Sequence, residues 1–306
     1  MRTPPPEPIR RERHPASACL RSVCLGVLAW VGVGASTAPD DPELYELEPD
    51  LELPPVLDAA PAPGTRVRLQ LETYAESDVH HVLYLPTDWE PGRRYPLIVE
   101  YAGNGGYANE LGDTCSGRVE DACLGYGISG GEGVLWLSVP FVGEGGRENA
   151  LRWWGDFERS VDYLAQVVPA VCAEYGGDPE AVLLAGFSRG ALACNVLGLH
   201  DERVSSLWAG FVCHSHYDGV RRWPYEGDER EAAAERLERL AGRPQWISHE
   251  RSVDEVAAYL DELGVEGDFT LRALPFPNHT DAWVLRDVPL RAELRAWVAS
   301  VFAGER

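Results

Sequence analysis

A serine set between an apolar strand and an apolar helix is the feature that most constrains how this 306-residue chain can fold. Residues 181–187 (AVLLAGF) form a continuous apolar run, which is typical of a strand covered on both faces, and residues 189–199 predict a helix. The turn between them fits G-x-S-x-G, with Gly186 and Gly190 where a side chain would clash. The pattern predicts that Ser188 sits at a strand tip and points into a crevice above a sheet, as a nucleophile would.

The same five-residue pattern occurs twice, so the pattern alone does not identify a nucleophile. Gly127–Gly131 also matches, with Ser129 at its centre, but it precedes a strand and no helix follows it. Ser188 has the strand–turn–helix setting that the chemistry requires. The alternative interpretation is a simple connection between a strand and a helix that uses glycines for its tight turn.

Strand and helix patterns alternate along most of the chain. This alternation predicts a mostly parallel central sheet with helices on both faces, with a small lid in the short stretch between the strands at 206–213 and 245–248. Within the helix at 157–171, Pro169 predicts a kink or a boundary. The predicted strands are 67–71, 81–85, 95–101, 133–139, 181–187, 206–213, 245–248 and 268–275, and the other predicted helices are 189–199, 231–241, 252–263 (opened by a Ser252–Glu255 capping box) and 289–302.

A serine hydroxyl is a weak nucleophile and needs a base, and among the eight histidines His279 has the best position for that role. It lies after the last predicted strand and before the last predicted helix, which gives the chain order serine, acid, histidine. His80 and His81 lie in an early strand, where a packed or solvated side chain is the ordinary interpretation. His279 is therefore the predicted general base.

A glycine-rich loop follows the apolar strand at 95–101 and predicts part of an oxyanion hole. Such a hole needs backbone N–H groups aimed at the developing negative charge. One N–H should come from Arg189, the residue after the nucleophile, and the other from Asn104 or Gly105 in this loop. The alternative is a plain glycine-rich turn.

Three segments in this order resemble the α/β-hydrolase superfamily: Tyr95–Gly106, Ala181–Gly190 and Asn278–Trp283. The chain is most similar to secreted esterases of the depolymerase-like or feruloyl-esterase-like kind, over roughly residues 65 to 303. The resemblance implies an α/β-hydrolase catalytic domain over 65–306. It also implies hydrolysis of an ester or an amide through an acyl-enzyme, with no cofactor.

The third member of the triad is where the sequence departs from the family pattern. The family usually places an aspartate several residues beyond the penultimate strand, often in H-G-x-x-D, whereas this chain has Ser248-His249-Glu250-Arg251 there. Glu250 lies nearest the strand end and is the first candidate. Asp218, which follows the preceding strand, is the second. Asp254 is the third, although a carboxylate in the first turn of a helix commonly just complements the helix dipole.

The segment His214-x-His216-x-Asp218 supports a rival, metal-dependent hypothesis. It resembles the start of the H-x-H-x-D-H zinc pattern of metallo-β-lactamases, but Gly219 replaces the final histidine. The prediction is therefore no metal site, with His214 and His216 instead contacting substrate at the rim of the site beside Tyr107 and Tyr217. Other aromatic residues that could form this rim, or could equally be core residues, are Trp153, Trp154, Trp223 and Trp283.

The first 64 residues predict an exported protein with a linker ahead of the catalytic domain. Residues 1–38 combine an arginine-rich start, an apolar run at 23–33 and small residues, which is typical of a cleavable signal peptide leading to a secreted or periplasmic location. Residues 39–64 are acidic and proline-rich and predict an exposed linker. In an oxidising compartment, Cys115 and Cys123 could form a disulfide.

Charge narrows the range of partners. All 27 basic residues are arginine, and the formal net charge is −22. A strongly acidic surface repels phosphate backbones and anionic membranes, so no nucleic acid is expected as a partner. The apolar run at 23–33 is too short for a transmembrane helix, so no membrane span is expected in the mature chain. The family resemblance implies an ester substrate as the partner. The hypotheses left open are a peptidase or amidase using the same triad, a non-catalytic binding protein with the same fold, and the metal-dependent hydrolase.

Overall fold

A nine-stranded sheet forms the centre of the structure, a computed structural model in which residues 43–265 and 267–304 are described. Its strand order is β1-β2-β3-β7-β4-β8-β9-β10-β11, while β5 and β6 form a separate hairpin. Strand β3 pairs antiparallel with β2 and with β7. All other neighbouring strands of this sheet are parallel. The strands are β1 (Val56–Leu57), β2 (Arg66–Leu69), β3 (His81–Tyr84), β4 (Tyr95–Tyr101), β5 (Tyr107–Ala108), β6 (Thr114–Cys115), β7 (Leu135–Val139), β8 (Gly177–Phe187), β9 (Gly210–His214), β10 (Gln245–Glu250) and β11 (Phe269–Leu274).

Helices cover both faces of the sheet because successive side chains of each buried strand point to opposite sides. Leu184 of β8 joins a core with Leu164 of α2, whereas its neighbour Leu183 joins a second core with Leu124 of α1 and Leu294 of α7. This arrangement confirms the predicted fold class. The helices are α1 (Leu124–Ser129), α2 (Phe157–Tyr175), α3 (Arg189–Val196), α4 (Glu202–Ser205), α5 (Arg230–Glu238), α6 (Asp254–Leu263) and α7 (Pro289–Phe302), with 3-10 turns at Leu44–Glu46, Glu72–Tyr74, Val119–Asp121, Glu144–Gly146 and Ala282–Leu285.

Three local predictions need correction. Helix α2 continues past Pro169 to Tyr175, so the boundary, one of the two effects predicted for this proline, is wrong. The strand predicted at 206–213 starts only at Gly210, because the chain before it forms the short helix α4 and a turn. The predicted capping box does not form, since Ser252 Oγ accepts a hydrogen bond from the amide of Asp254 at 3.1 Å and α6 begins one residue later than that motif requires.

The segment predicted as an exposed linker is anchored to the catalytic domain at separate residues, although all of residues 43–64 except Leu44 are exposed or half-buried. Leu44 is only 1% exposed and belongs to the core on the α1 and α7 face. Asp50 forms a bidentate ion pair with Arg291, both N–O distances being 2.7 Å, and the Asp50 amide donates to the Leu285 carbonyl. The acidic and proline-rich composition of the segment did not predict these separate contacts. The predicted signal peptide, residues 1–38, lies outside the described residues.

A substitution at Leu44 tests whether this segment is part of the folded domain. Replacing a buried leucine with alanine costs about 2–5 kcal/mol of unfolding free energy, so Leu44→Ala should lower stability by that amount in a urea titration. Leu47→Ala is the matched control, because Leu47 is 39% exposed and should lose about 0.5 kcal/mol or less. Equal stability of the two variants would restore the linker interpretation.

Two further observations concern the described residues. None of their helices is long and apolar enough to cross a bilayer. The predicted disulfide is absent as well: Cys115 and Cys123 both carry free thiols, as do the other described cysteines.

Candidate active site

The sharp turn after β8 is the centre of the candidate site. Ser188 has φ 54° and ψ −113°, a conformation that is strained for any residue other than glycine and that is found mostly at functional sites. A Cβ on Gly186 would lie 2.1 Å from the Gly190 backbone, and a Cβ on Gly190 would lie 2.0 Å from the Tyr101 carbonyl oxygen. The turn therefore requires both glycines, which explains why they flank the serine.

Ser188, His279 and Glu250 form one continuous chain of hydrogen bonds. Ser188 Oγ lies 3.0 Å from His279 Nε2, and His279 Nδ1 lies 2.9 Å from Glu250 Oε1. Glu250 is the last residue of β10, and His279 follows β11 in the loop before α7. Since an ionised carboxylate only accepts, Nδ1 carries the proton and Nε2 is left to accept from the serine hydroxyl.

Glu250 is held as a carboxylate. Burial raises its pKa, but the hydrogen bond with His279, the nearby imidazoles and the hydrogen bond from Ser215 outweigh burial and lower the pKa to about 2. The hydroxyl of Ser215 donates to the same oxygen, Oε1, that His279 contacts. Ser215 is buried and has a positive φ of 80°, so the backbone is strained where it supports the acid.

The other two candidate acids are placed elsewhere. Asp218 is 1% exposed and forms a bidentate ion pair with Arg236, with N–O distances of 2.8 and 3.0 Å, and it also accepts from the Tyr225 hydroxyl at 3.1 Å. Its carboxylate is thus committed to α5 and cannot orient His279. Asp254 is the exposed first residue of α6, in the first helical turn, as the alternative interpretation expected. The structure brings Glu250 to His279 and brings neither aspartate there.

The three backbone amides predicted for the oxyanion hole lie in the loop after β4 and in the turn after β8. Among the described residues, no group accepts a hydrogen bond from the amides of Asn104 or Arg189. Arg189 lies in the first turn of α3, where backbone N–H groups have no partner within the helix. Gly105, the third candidate, is engaged, because its N–H donates to the Leu151 carbonyl at 2.7 Å. Of the three candidate amides, those of Asn104 and Arg189 thus remain without an acceptor among the described residues.

The side chains of these same two residues hold the loop around Trp153. Asn104 Oδ1 accepts from the Trp153 amide at 2.8 Å, and the Arg189 guanidinium donates to the Trp153 carbonyl at 2.7 Å. Burial lowers the pKa of Arg189 to about 9, and its guanidinium also lies over the Phe141 ring, 3.9 Å from the centroid. These contacts keep Trp153 in place despite its positive φ of 48°.

A cavity of about 490 Å³ opens beside Ser188 and is walled by a continuous row of aromatic rings. Centroid distances along the row are 6.0 Å from Trp153 to Trp223, 4.7 Å from Trp223 to His216, 5.2 Å from His216 to His279 and 4.9 Å from His279 to Tyr107. Burial, with His279 close by, lowers the pKa of His216 to about 3, so the His216 imidazole is uncharged near neutral pH. Tyr107 and His216 thus lie where substrate contact was predicted.

Two other predicted contact residues do not reach this cavity. His214 is fully buried below Ser188, with Nδ1 3.0 Å from Ser248 Oγ, and burial lowers its pKa to about 4. Tyr217 is 2% exposed and its hydroxyl donates to Gln245. It borders an adjoining cavity of about 230 Å³ that shares His216 and Trp223 with the cavity beside Ser188. Of the other rim candidates, Trp153 and Trp223 line the larger cavity, whereas Trp154 and Trp283 are core residues.

The metal hypothesis finds no support in the geometry. His214 contacts Ser248 and Asp218 pairs with Arg236, so the three residues of the zinc-like motif do not converge. Over residues 43–265 and 267–304, no cluster of three or more His, Cys, Asp or Glu side chains could hold a metal ion.

Sequence reasoning missed two residues that contact the hydrogen-bonded chain. Ser215, which donates to Glu250, follows directly after β9 at the same sheet edge as Ser188, and that position was a usable signal. Asp113 accepts from the His279 backbone amide at 2.8 Å. It lies in the β5–β6 hairpin, in no motif, and no sequence signal points to it.

Comparison with known proteins finds similarity at the level of structure. No family model matches the sequence, and no curated protein matches it. A feruloyl esterase module from Clostridium thermocellum is 15% identical and is covered over 95% of its chain and 84% of this one, with a TM-score of 0.49. Esterase 2 of Thermogutta terrifontis is 18% identical over 93% of its chain and 78% of this one, also with a TM-score of 0.49. A thermostable esterase is 15% identical with a TM-score of 0.45, over 77% of this chain, which spans 62% of that esterase's length.

The strand order itself defines the class of fold. A mostly parallel sheet with one antiparallel strand, helices on both faces and a serine on the tight turn between a central strand and its helix is the α/β-hydrolase fold. The chain order of the three hydrogen-bonded residues, Ser188, Glu250 and His279, is also the order in which this fold places serine, acid and histidine.

Proposed function

We propose that this chain is a serine hydrolase that cleaves carboxylic esters through an acyl-enzyme. The observation that carries the proposal is the unbroken chain of hydrogen bonds from Ser188 through His279 to Glu250, with contacts of 3.0 and 2.9 Å. A nucleophile within hydrogen-bond reach of a base, which is in turn oriented by a third group, is the arrangement that activates a serine hydroxyl.

Each residue then has one task in the reaction. Ser188 Oγ attacks the carbonyl carbon while His279 Nε2 takes its proton, and the carbonyl oxygen becomes an oxyanion that the amides of Asn104 and Arg189 bind. His279 next gives the proton to the leaving alcohol, so the ester C–O bond breaks and an acyl-serine remains. Water attacks this acyl group by the same route and releases the acid. Glu250 stays ionised and stabilises the imidazolium at each step.

The shape of the site favours a small ester over a peptide chain. The cavity of about 490 Å³ is lined by Tyr107, Trp153 and Trp223. This volume falls within the range of about 300–1,000 Å³ usual for small-molecule sites. A peptidase would instead need a groove that continues on both sides of Ser188.

Trapping the acyl-enzyme tests the proposal directly. Mixing the protein with a p-nitrophenyl ester should give a burst of nitrophenol equal to the concentration of sites, and acid quenching should preserve an acyl mass on the peptide that contains Ser188. Parallel reactions with a p-nitroanilide of the same acyl group and with EDTA separate the alternatives. A faster anilide reaction would favour an amidase, and loss of hydrolysis in EDTA would favour a metal enzyme. A folded protein that gives neither nitrophenol nor an acyl mass on the peptide containing Ser188 would contradict the proposal.

A further inference from the structure

Asp113 is a fully buried carboxylate outside the Ser188–His279–Glu250 chain, and four groups donate hydrogen bonds to it. Oδ1 accepts from Asn278 Nδ2 and from the Tyr45 hydroxyl, both at 2.9 Å. Oδ2 accepts from the backbone amide of His279 at 2.8 Å and from Asn109 Nδ2 at 2.7 Å. Burying a carboxylate is costly unless donors replace its water, and here the donors come from three separate segments of the chain.

The hairpin that carries Asp113 holds His279 from two sides. The carboxylate fixes the backbone of His279, while the Tyr107 ring packs edge-on against the imidazole, with centroids 4.9 Å apart and an interplanar angle of 68°. Asn109 links the two contacts, because its Nδ2 donates both to the Tyr107 hydroxyl at 3.0 Å and to Asp113. The loop containing His279 and the β5–β6 hairpin are therefore one hydrogen-bonded unit.

We propose that Asp113 is the positioning residue for His279, and that the β5–β6 hairpin is present to keep the imidazole between Ser188 and the leaving group. This inference rests on the proposed function, since positioning matters only if His279 moves a proton. Glu250 fixes the rotation of the ring through Nδ1, but it does not fix the backbone from which the ring projects. A displacement of about 1 Å at such a group can cost on the order of 100-fold in rate.

The test compares two substitutions at Asp113 that differ only in whether an acceptor remains. Asp113→Ala removes every acceptor from the His279 amide, and its kcat for a p-nitrophenyl ester should fall about 10- to 100-fold while KM changes by less than about threefold. Asp113→Asn keeps one amide oxygen that can face the His279 N–H, so it should recover most of that rate. The first-order labelling rate with a fluorophosphonate should follow kcat, while the probe's binding constant should stay unchanged.

A stability control separates positioning from general destabilisation. Val298→Ala, a core substitution in α7 far from this hairpin in sequence, should lower the melting temperature with kcat unchanged.

The positioning role is wrong if folded Asp113→Ala keeps the wild-type kcat. It is also wrong if Asp113→Asn recovers none of the rate that Asp113→Ala loses. If Asp113→Ala does not fold, Asn278→Ala replaces it, because that change removes a second link between the His279 loop and the carboxylate, and an unchanged kcat would again overturn the inference. Failure of the wild-type protein to react with fluorophosphonate would instead overturn the proposed function, and the positioning role with it.

Discussion

Ser188→Ala should abolish labelling by a fluorophosphonate and reduce ester hydrolysis by about 10³-fold or more. The probe reacts only with an oxygen whose proton a base can take, and His279 Nε2 is 3.0 Å from Ser188 Oγ. Serine already has a positive φ at this position, and alanine would have to adopt the same one. The substitution therefore adds no new backbone strain, and the fold should survive with a small loss of stability. Circular dichroism and thermal melting of the variant would establish that it is folded before its activity is compared.

The second G-x-S-x-G match provides the control for this experiment. Ser129 is the last residue of helix α1, and its hydroxyl contacts the Tyr126 carbonyl and the Gly131 amide, with no histidine among these partners. Ser129→Ala should therefore label and hydrolyse like the wild type. Labelling that persists in Ser188→Ala but disappears in Ser129→Ala would contradict the proposed nucleophile, and labelling of neither the wild type nor the variants would favour the non-catalytic binding hypothesis.

The features that could be predicted from sequence are those that depend on a short stretch of chain. The tight turn at Ser188 requires glycine at 186 and 190 because of local steric contacts, so a five-residue pattern and its flanking apolar runs were sufficient. The exact bounds of β4 and α7 follow from apolar patterns in the same way. Glu250 ranked first because it lies at the end of a strand, and strand ends at one edge of a parallel sheet converge.

The features that were missed depend on contacts between distant segments. Asp218 also follows a strand, although it lies farther beyond the end of β9 than Glu250 does from the end of β10, and only the packing of α5 shows that Arg236 binds its carboxylate. Asp113 lies 166 residues from His279, the residue whose amide it binds, and no spacing rule connects them. The segment at 43–64 has the composition of a linker, yet single residues such as Leu44 anchor it, and composition averages over such anchors.

Glu250→Gln should lower the catalytic rate, whereas Asp218→Asn should lower the stability, although each replaces a buried carboxylate by its amide. Glu250→Gln should reduce kcat about 10³- to 10⁴-fold, because a neutral amide neither fixes the imidazole tautomer nor stabilises the imidazolium. Asp218→Asn should leave the kcat of the folded protein near the wild-type value. It should instead lower the unfolding free energy by about 3–5 kcal/mol, since Arg236 keeps its charge in a partly buried position without a charged partner.

Measuring both quantities on both variants makes this pair decisive. The kinetic effect should belong to Glu250, because its Oε1 is 2.9 Å from His279 Nδ1, and the larger stability effect should belong to Asp218, because its two oxygens are both bonded to Arg236. A general loss of packing would lower stability in both variants and would not separate them in kcat. If Asp218→Asn is the inactive variant and Glu250→Gln retains its rate, then the acid that orients His279 during catalysis is not the one that contacts it in this structure, and the loop after β9 must move to bring Asp218 to the histidine.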